Sequence, residues 1–184
     1  FFPRWTQEGA SGAFLDRLKD RSLDTRIRSH LKDIEDMIVS WDTILICGLG
    51  VHKDSPIVGK TVLQASNAAN KQPYDFIRDL LIAENGNVSI IKFSMSEDNL
   101  RRVLAHPLVV IASDGYSLAP YGELGTGKPH LRNYGTFTRI LRKYVREEKT
   151  LTLPEAIRKM TSLPAMKFGL KDRGFIRRGC FADI

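Results

Sequence analysis

The stretch from His106 to Gly135 constrains this chain more than any other. It opens with the apolar run Leu108-Val109-Val110-Ile111-Ala112 and breaks at Ser113-Asp114-Gly115. A polar loop with several Gly and Pro residues follows, ending in Lys128-Pro129-His130-Leu131-Arg132-Asn133-Tyr134-Gly135. A β-branched run of that length, bounded by Pro107 and Gly115, predicts a strand buried on both faces. A carboxylate where such a strand stops sits at the rim of a parallel sheet, where α/β folds keep their chemistry. The rest of the chain reads as scaffold for that rim.

The flanking sequence supplies alternating elements. Phe14, Leu15 and Leu18 mark a short amphipathic helix, and Leu23, Ile27, Leu31, Ile34 and Ile38 a longer one. Thr43 to Cys47 and Val88 to Phe93 are further strand candidates, separated by helices over 61–69 and 73–83 and a turn at Asn85-Gly86-Asn87. Ser96 caps the next helix, with Glu97 and Asp98 in its favourable first turn and Leu100, Val103 and Leu104 inward; His106-Pro107 ends it. Phe137, Ile140, Leu141, Tyr144 and Val145 form another stripe. Thr152-x-x-Glu155 predicts a capping box with Pro154 in the first turn, on a helix burying Ala156, Ile157 and Met160. A turn near Pro164 closes at Gly169, and residues 174–184 read as a hairpin leading into a strand. This βαβ rhythm predicts a parallel sheet. Three strands cannot close a barrel, so the sequence reads as a piece of a longer protein. Such a piece carries exposed apolar sheet edges, a liability for self-association.

Composition excludes more than it selects. Hydrophobic content of 42% and charged content of 27% are those of a globular protein. The net charge of +7 is spread over helix faces, as in Arg26, Arg28, Lys32, Arg139, Arg142 and Lys143, without a nucleic-acid-binding signature. No run approaches the ~20 apolar residues of a membrane helix. Cys47 and Cys180 have no disulfide or metal-type spacing, and a reducing, cytoplasmic setting is expected. No nucleic-acid or membrane partner is expected.

Asp114 leads the candidates for chemistry. An ionised aspartate at a strand end can ligate a metal or act as a general base toward a metal-bound water. Ser113-Asp114-Gly115 also reads as a plain turn closed by an Asx-type hydrogen bond. Arg132 is a carboxylate clamp by its chemistry, so one loop offers a base and an anion anchor. His130 is a candidate for substrate or metal, or a loop histidine holding a carbonyl. His52, Lys53 and Asp54 form either a substrate-touching loop or a solvated one, and His30 reads as a half-buried packing residue.

The sequence resembles the N-acyl-D-amino-acid deacylases (D-aminoacylases) of the metal-dependent amidohydrolase superfamily. The residues that carry the resemblance are Phe93-Ser94-Met95-Ser96-Glu97, His106-Pro107, Ile111-Ala112-Ser113-Asp114-Gly115 and Pro129 to Phe137. Leu153 to Ala165 and Arg173 to Gly179 extend it, and Pro3-Arg4-Trp5 with Glu8-Gly9 is similar to a mid-barrel stretch of that family.

The resemblance implies an α/β fold: residues 1–168 as the C-terminal part of a TIM-like β/α barrel, and 169–184 as the start of a small β-sandwich domain. It implies zinc, with the His-x-His pair and the other ligands expected upstream of Phe1. It assigns Asp114 to activate the metal-bound water, protonate the leaving amine and approach the metal. It assigns Arg132 to the α-carboxylate of a small N-acyl amino acid, and His130 stays a substrate-binding candidate. Leu131 stands where the family commonly has proline, and the loop from Tyr116 to Lys128 is longer than usual. The chain's expected partner is the remainder of the barrel, and residues 1–184 alone are expected to bind little metal and hydrolyse nothing. Two other readings remain at this stage: a cyclic amidohydrolase of dihydroorotase or hydantoinase type, and a non-catalytic module.

Overall fold

The structure is a computed structural model that describes residues 2–10, 12–35 and 40–181, the side chains of 32–35 excepted. It divides into two compact units, Phe1–Ser94 with Pro120–His130, and Met95–Ala119 with Leu131–Ile184.

The first unit contains α1 (Arg4–Gln7), α2 (Ala13–Lys19), α3 (Asp24–Glu35), β1 (Ile44–Leu49), α4 (Val62–Ala68), α5 (Pro73–Ala83) and β2 (Val88–Lys92). Helical periodicity places Leu18, Ile27 and Leu31 against Tyr74 in one apolar cluster. Ile44, Ile46, Val62, Ala65, Phe76 and Ile77 form a second. The Ile34 side chain and Ile38, expected on the α3 stripe, lie outside the described residues. Both strands appear where the apolar runs predict them, but they pair antiparallel, Leu49 facing Val88 and Ile44 facing Lys92.

That overturns the parallel-sheet reading for these two strands, and the connection explains why. After β1 the chain doubles back along it, with Ile46 N–H donating to Lys60 O at 3.0 Å and Leu45 bridging Thr61. The helix pair then carries the chain forward again, where Glu84 accepts from Val51 N–H at 2.7 Å. β2 therefore starts beside the end of β1 and must run backwards. A register shift between Ile46 and Gly48 leaves Cys47 as a bulge. Its carbonyl is turned to accept from Lys128 N–H at 2.7 Å, docking the segment that ends at His130. Gly127 sits here at φ +79°, and a Cβ would stand 2.8 Å from Cys47 O, so a side chain is excluded twice over.

The second unit contains α6 (Glu97–Ala105), α7 (Arg132–Arg139) running into a π-helical stretch (Ile140–Glu147), α8 (Leu153–Met160) and α9 (Ser162–Lys167). Its core is Leu104, Ile111, Ile140, Tyr144, Leu151 and Ala156. Ser96 caps α6 as predicted, accepting from Asn99 N–H at 3.1 Å. Thr152 makes its half of the predicted box on Glu155 N–H at 3.3 Å, while the Glu155 carboxylate turns to Arg158. Val103 and Ile157, predicted inward, are exposed. Pro164 falls inside α9 rather than in a turn; in the first turn of a helix its missing N–H costs nothing. Residues 170–181 are turns without strand pairing, closed by Phe181 N–H on Asp172 O at 2.9 Å. The rest of the predicted tail strand, 182–184, lies outside the described residues.

The largest correction concerns Leu108–Ala112, predicted as a doubly buried strand. It begins in a turn, with Val109 N–H donating to His106 O at 3.2 Å, pairs with no strand among the described residues, and leaves Leu108 79% exposed while only Ile111 is buried. A strand requires ladder partners for its backbone. Here the partner is a helix: Ile111 N–H donates to Lys159 O at 3.1 Å.

Glu97 ties α6 to the helix that follows α7. Its carboxylate accepts from Lys143 at 2.9 Å, Tyr144 at 2.8 Å and Arg139 at 2.6 Å. The Lys143 and Tyr144 hydrogen bonds hold its pKa down at about 2. A carboxyl depressed in the folded state stabilises above its ordinary value of 4.5, and that contribution disappears as pH falls from there toward about 2. Glu97→Gln is accordingly expected to lower the thermal midpoint at pH 7 and to flatten its decline below pH 4.5, a difference reduced by salt because the carboxylate is partly exposed. Parallel acid melts of the two proteins check this.

Candidate functional site

The site is built from the end of the 108–112 run and the start of α7, both in the second unit. Asp114 adopts the left-handed conformation, φ +51°, which aspartate tolerates better than most residues. The turn's hydrogen bond is made by its neighbour: Ser113 Oγ accepts from Gly115 N–H at 3.2 Å. The Asp114 carboxylate is thereby left to point outward, 85% exposed, and it pairs with Arg132 Nη1 at 3.2 Å. Arg132 opens α7 and is itself 44% exposed.

Asn133 locks the two halves together. Its Oδ1 accepts from Tyr116 N–H at 2.6 Å. Gly115 is the residue that permits this approach, since a Cβ there would meet Asn133 Cα at 3.1 Å and Oδ1 at 3.2 Å. Chemically, the result is an accessible carboxylate on a tight turn beside a guanidinium, whose planar fork suits a carboxylate.

Of the other candidates, His130 is exposed and closes the Pro120–His130 segment of the first unit. His52, read as solvated or substrate-touching, donates through Nδ1 to Glu84 at 2.6 Å. Burial pushes the Glu84 carboxyl upward, but the Val51 and His52 N–H groups and the His52 ring hold it below the ordinary carboxylate range. This pair anchors a loop. His30 is half-buried on α3, as expected. Burial pushes the Cys47 thiol up, away from reactivity.

Two positions were not singled out by sequence. Asn133 is one, and nothing in its local pattern marks it. Lys159 is the other: it is fully buried, with Nζ donating to His106 O and to Val109 O, the latter at 3.0 Å. Its only mark in the sequence is a place on the same helical face as Ala156.

Zinc needs three or four protein ligands. Among the described residues no three His, Cys, Asp or Glu side chains converge, and the charged neighbour of Asp114 is a cation. The residues described do not fit a complete zinc site. Among them, too, no helix is long and apolar enough to cross a membrane.

Residues 67–184 match the amidohydrolase family. The N-acyl-D-aspartate deacylase of Alcaligenes xylosoxydans xylosoxydans is 41% identical over 103 residues, 56% of this chain and 19% of that protein. The D-aminoacylase of the same organism is 36% identical over 151 residues, 80% of this chain and 29% of that protein. A crystal structure of an N-acyl-D-glutamate deacylase from Bordetella bronchiseptica, complexed with zinc and a phosphonate mimic of the tetrahedral intermediate, aligns with TM-score 0.65 and 31% identity. That alignment covers 82% of this chain and 28% of the other. The chain thus spans less than a third of each of these relatives. With the family matched over most of its length, this chain belongs to the amidohydrolase family.

Proposed function

We propose that this chain is the C-terminal part of a hydrolase that cleaves the amide bond of N-acyl-D-amino acids. The observation that carries the reading is the Asp114–Arg132 pair, a carboxylate and a guanidinium 3.2 Å apart. The deacylases named above support the substrate class.

In this reading Arg132 binds the α-carboxylate of the substrate and holds the scissile amide over Asp114. Asp114 takes a proton from the attacking water as its oxygen bonds to the acyl carbon. It returns that proton to the amide nitrogen as the C–N bond breaks, releasing a carboxylic acid and a D-amino acid. His130 is kept as a substrate-binding candidate on its place in the sequence alone, two residues before Arg132. Zinc, present in the Bordetella enzyme, belongs to the whole protein, with most of its ligands supplied from outside residues 1–184 and Asp114 the residue of this chain that would approach it.

The fold reading follows the same line: residues 1–168 belong to a β/α barrel, and 169–184 open a small β-domain. The exposed apolar side chains of Phe93, Met95, Leu108 and Ile176 support it, as surfaces that the remainder of a barrel would cover. The hydantoinase-type alternative is disfavoured by Arg132, for which a ring amide without a carboxylate has no use.

The test is hydrolysis of N-acetyl-D-methionine, N-acetyl-D-glutamate and their L forms by the whole protein, with elemental analysis, beside residues 1–184 alone. Turnover of a D form with bound zinc in the whole protein, and neither in the shorter chain, is expected. Zinc and turnover in residues 1–184 alone, or turnover of rings only, would overturn the reading.

A further inference from the structure

Lys159 is a lysine with no exposed surface. A buried ammonium is costly unless its donors are satisfied, and here they go to main-chain carbonyls: His106 O, and Val109 O at 3.0 Å. Its contact with a carboxylate is longer, 3.9 Å to Glu155. Burial pushes the ammonium below the usual lysine range. His106 is the C-cap of α6, so the charge also lies at the negative end of that helix.

The adjoining groups grip the same segment. Lys159 O accepts from Ile111 N–H at 3.1 Å, and Arg158 Nη2 donates to Pro107 O at 2.9 Å. Two consecutive residues of α8 thus fasten the backbone at His106, Pro107, Val109 and Ile111. Among the described residues no strand ladder shares that work. From Ile111 the chain runs through Ala112 and Ser113 directly to Asp114, whose far side is held by Asn133 on Tyr116 N–H.

We infer that Lys159 is a positioning residue for Asp114, its clasp on residues 106–111 setting where the carboxylate stands. The inference rests on the reading of Asp114 as the base. Lys159 touches no reacting atom; it acts through the backbone. A methionine fills the same volume without donors, so Val109 O loses the Lys159 hydrogen bond and His106 O keeps only the Val109 N–H at 3.2 Å; the segment then shifts toward other partners. A displacement of ~1 Å at a reacting group costs up to ~100-fold in rate.

The experiment compares Lys159→Met, Lys159→Gln and Asp114→Asn in the whole protein, with an N-acetyl-D-amino acid well below each variant's unfolding midpoint. Lys159→Met is expected to lower kcat per folded molecule, the folded fraction being measured by circular dichroism, by ~10- to 100-fold with KM changed by less than about twofold, which loss of folded protein alone does not produce. If Lys159→Met does not accumulate folded, Lys159→Gln, which keeps an N–H donor, is read by the same criterion. A folded variant with wild-type kcat, or with only KM raised, overturns the inference while leaving the role of Asp114 intact. Full activity in Asp114→Asn removes the reading of Asp114, and the inference falls with it.

Discussion

Replacing Asp114 by asparagine in the whole protein is expected to reduce kcat by ~10²- to 10⁴-fold, the range for loss of a general acid–base group. Asparagine is the informative substitution because it keeps the size of the side chain and tolerates the left-handed backbone at φ +51°. It removes only the charge and the proton-accepting oxygen. The ion pair lost with it is exposed on both sides, and such pairs contribute ~0–1 kcal/mol. The thermal midpoint should therefore barely move while turnover collapses. Steady-state kinetics beside a calorimetric scan separate the two, and a variant within threefold of wild-type turnover, roughly 0.65 kcal/mol in barrier, would end the claim that Asp114 handles the proton.

The second large effect is expected at Arg132. Arg132→Ala should lower kcat/KM for N-acyl-D-amino acids by ~10²-fold, as for the loss of a charge-assisted hydrogen-bonded anchor worth ~1.5–3 kcal/mol. Substrates whose α-carboxylate is replaced by an amide, and ring amides without a carboxylate, should change only weakly, since they never used the guanidinium. Arg132→Lys should recover part of the loss, because it restores the charge but not the planar fork. An equal loss for charged and neutral substrates would mean that Arg132 serves Asp114 rather than the substrate. The 3.2 Å contact between the two side chains makes that outcome a real alternative to separate.

Much of the local structure was legible without coordinates because its causes are local. The Ser96 cap, the Asn85-Gly86-Asn87 turn and the stripes of α2, α3 and α5 follow from hydrogen bonds and periodicities spanning a few residues. Sheet direction was not legible. It depends on whether the chain returns along β1 before its helices begin, and nothing in the composition of residues 50–61 announces that return. Leu108–Ala112 misled for a related reason: an apolar β-branched run records what a strand would need, while pairing is supplied by residues elsewhere.

The chemistry of the candidate site divides along the same line. The amino-acid types at Asp114 and Arg132, and their places after an apolar run and before a helical stripe, were determined by sequence alone. A carboxylate that ends such a run and an arginine that opens such a helix carry their chemistry in their side chains. Only the tertiary structure decided that the two meet, that Ser113 rather than Asp114 closes the turn, and that Lys159 is buried instead of solvated. Asp114 and Arg132 meet only because the fold brings two exposed side chains together, while the burial of Lys159 is set by backbone carbonyls distant in sequence that need a partner once water is gone. A linear pattern does not contain that demand, because it arises only when the chain is packed.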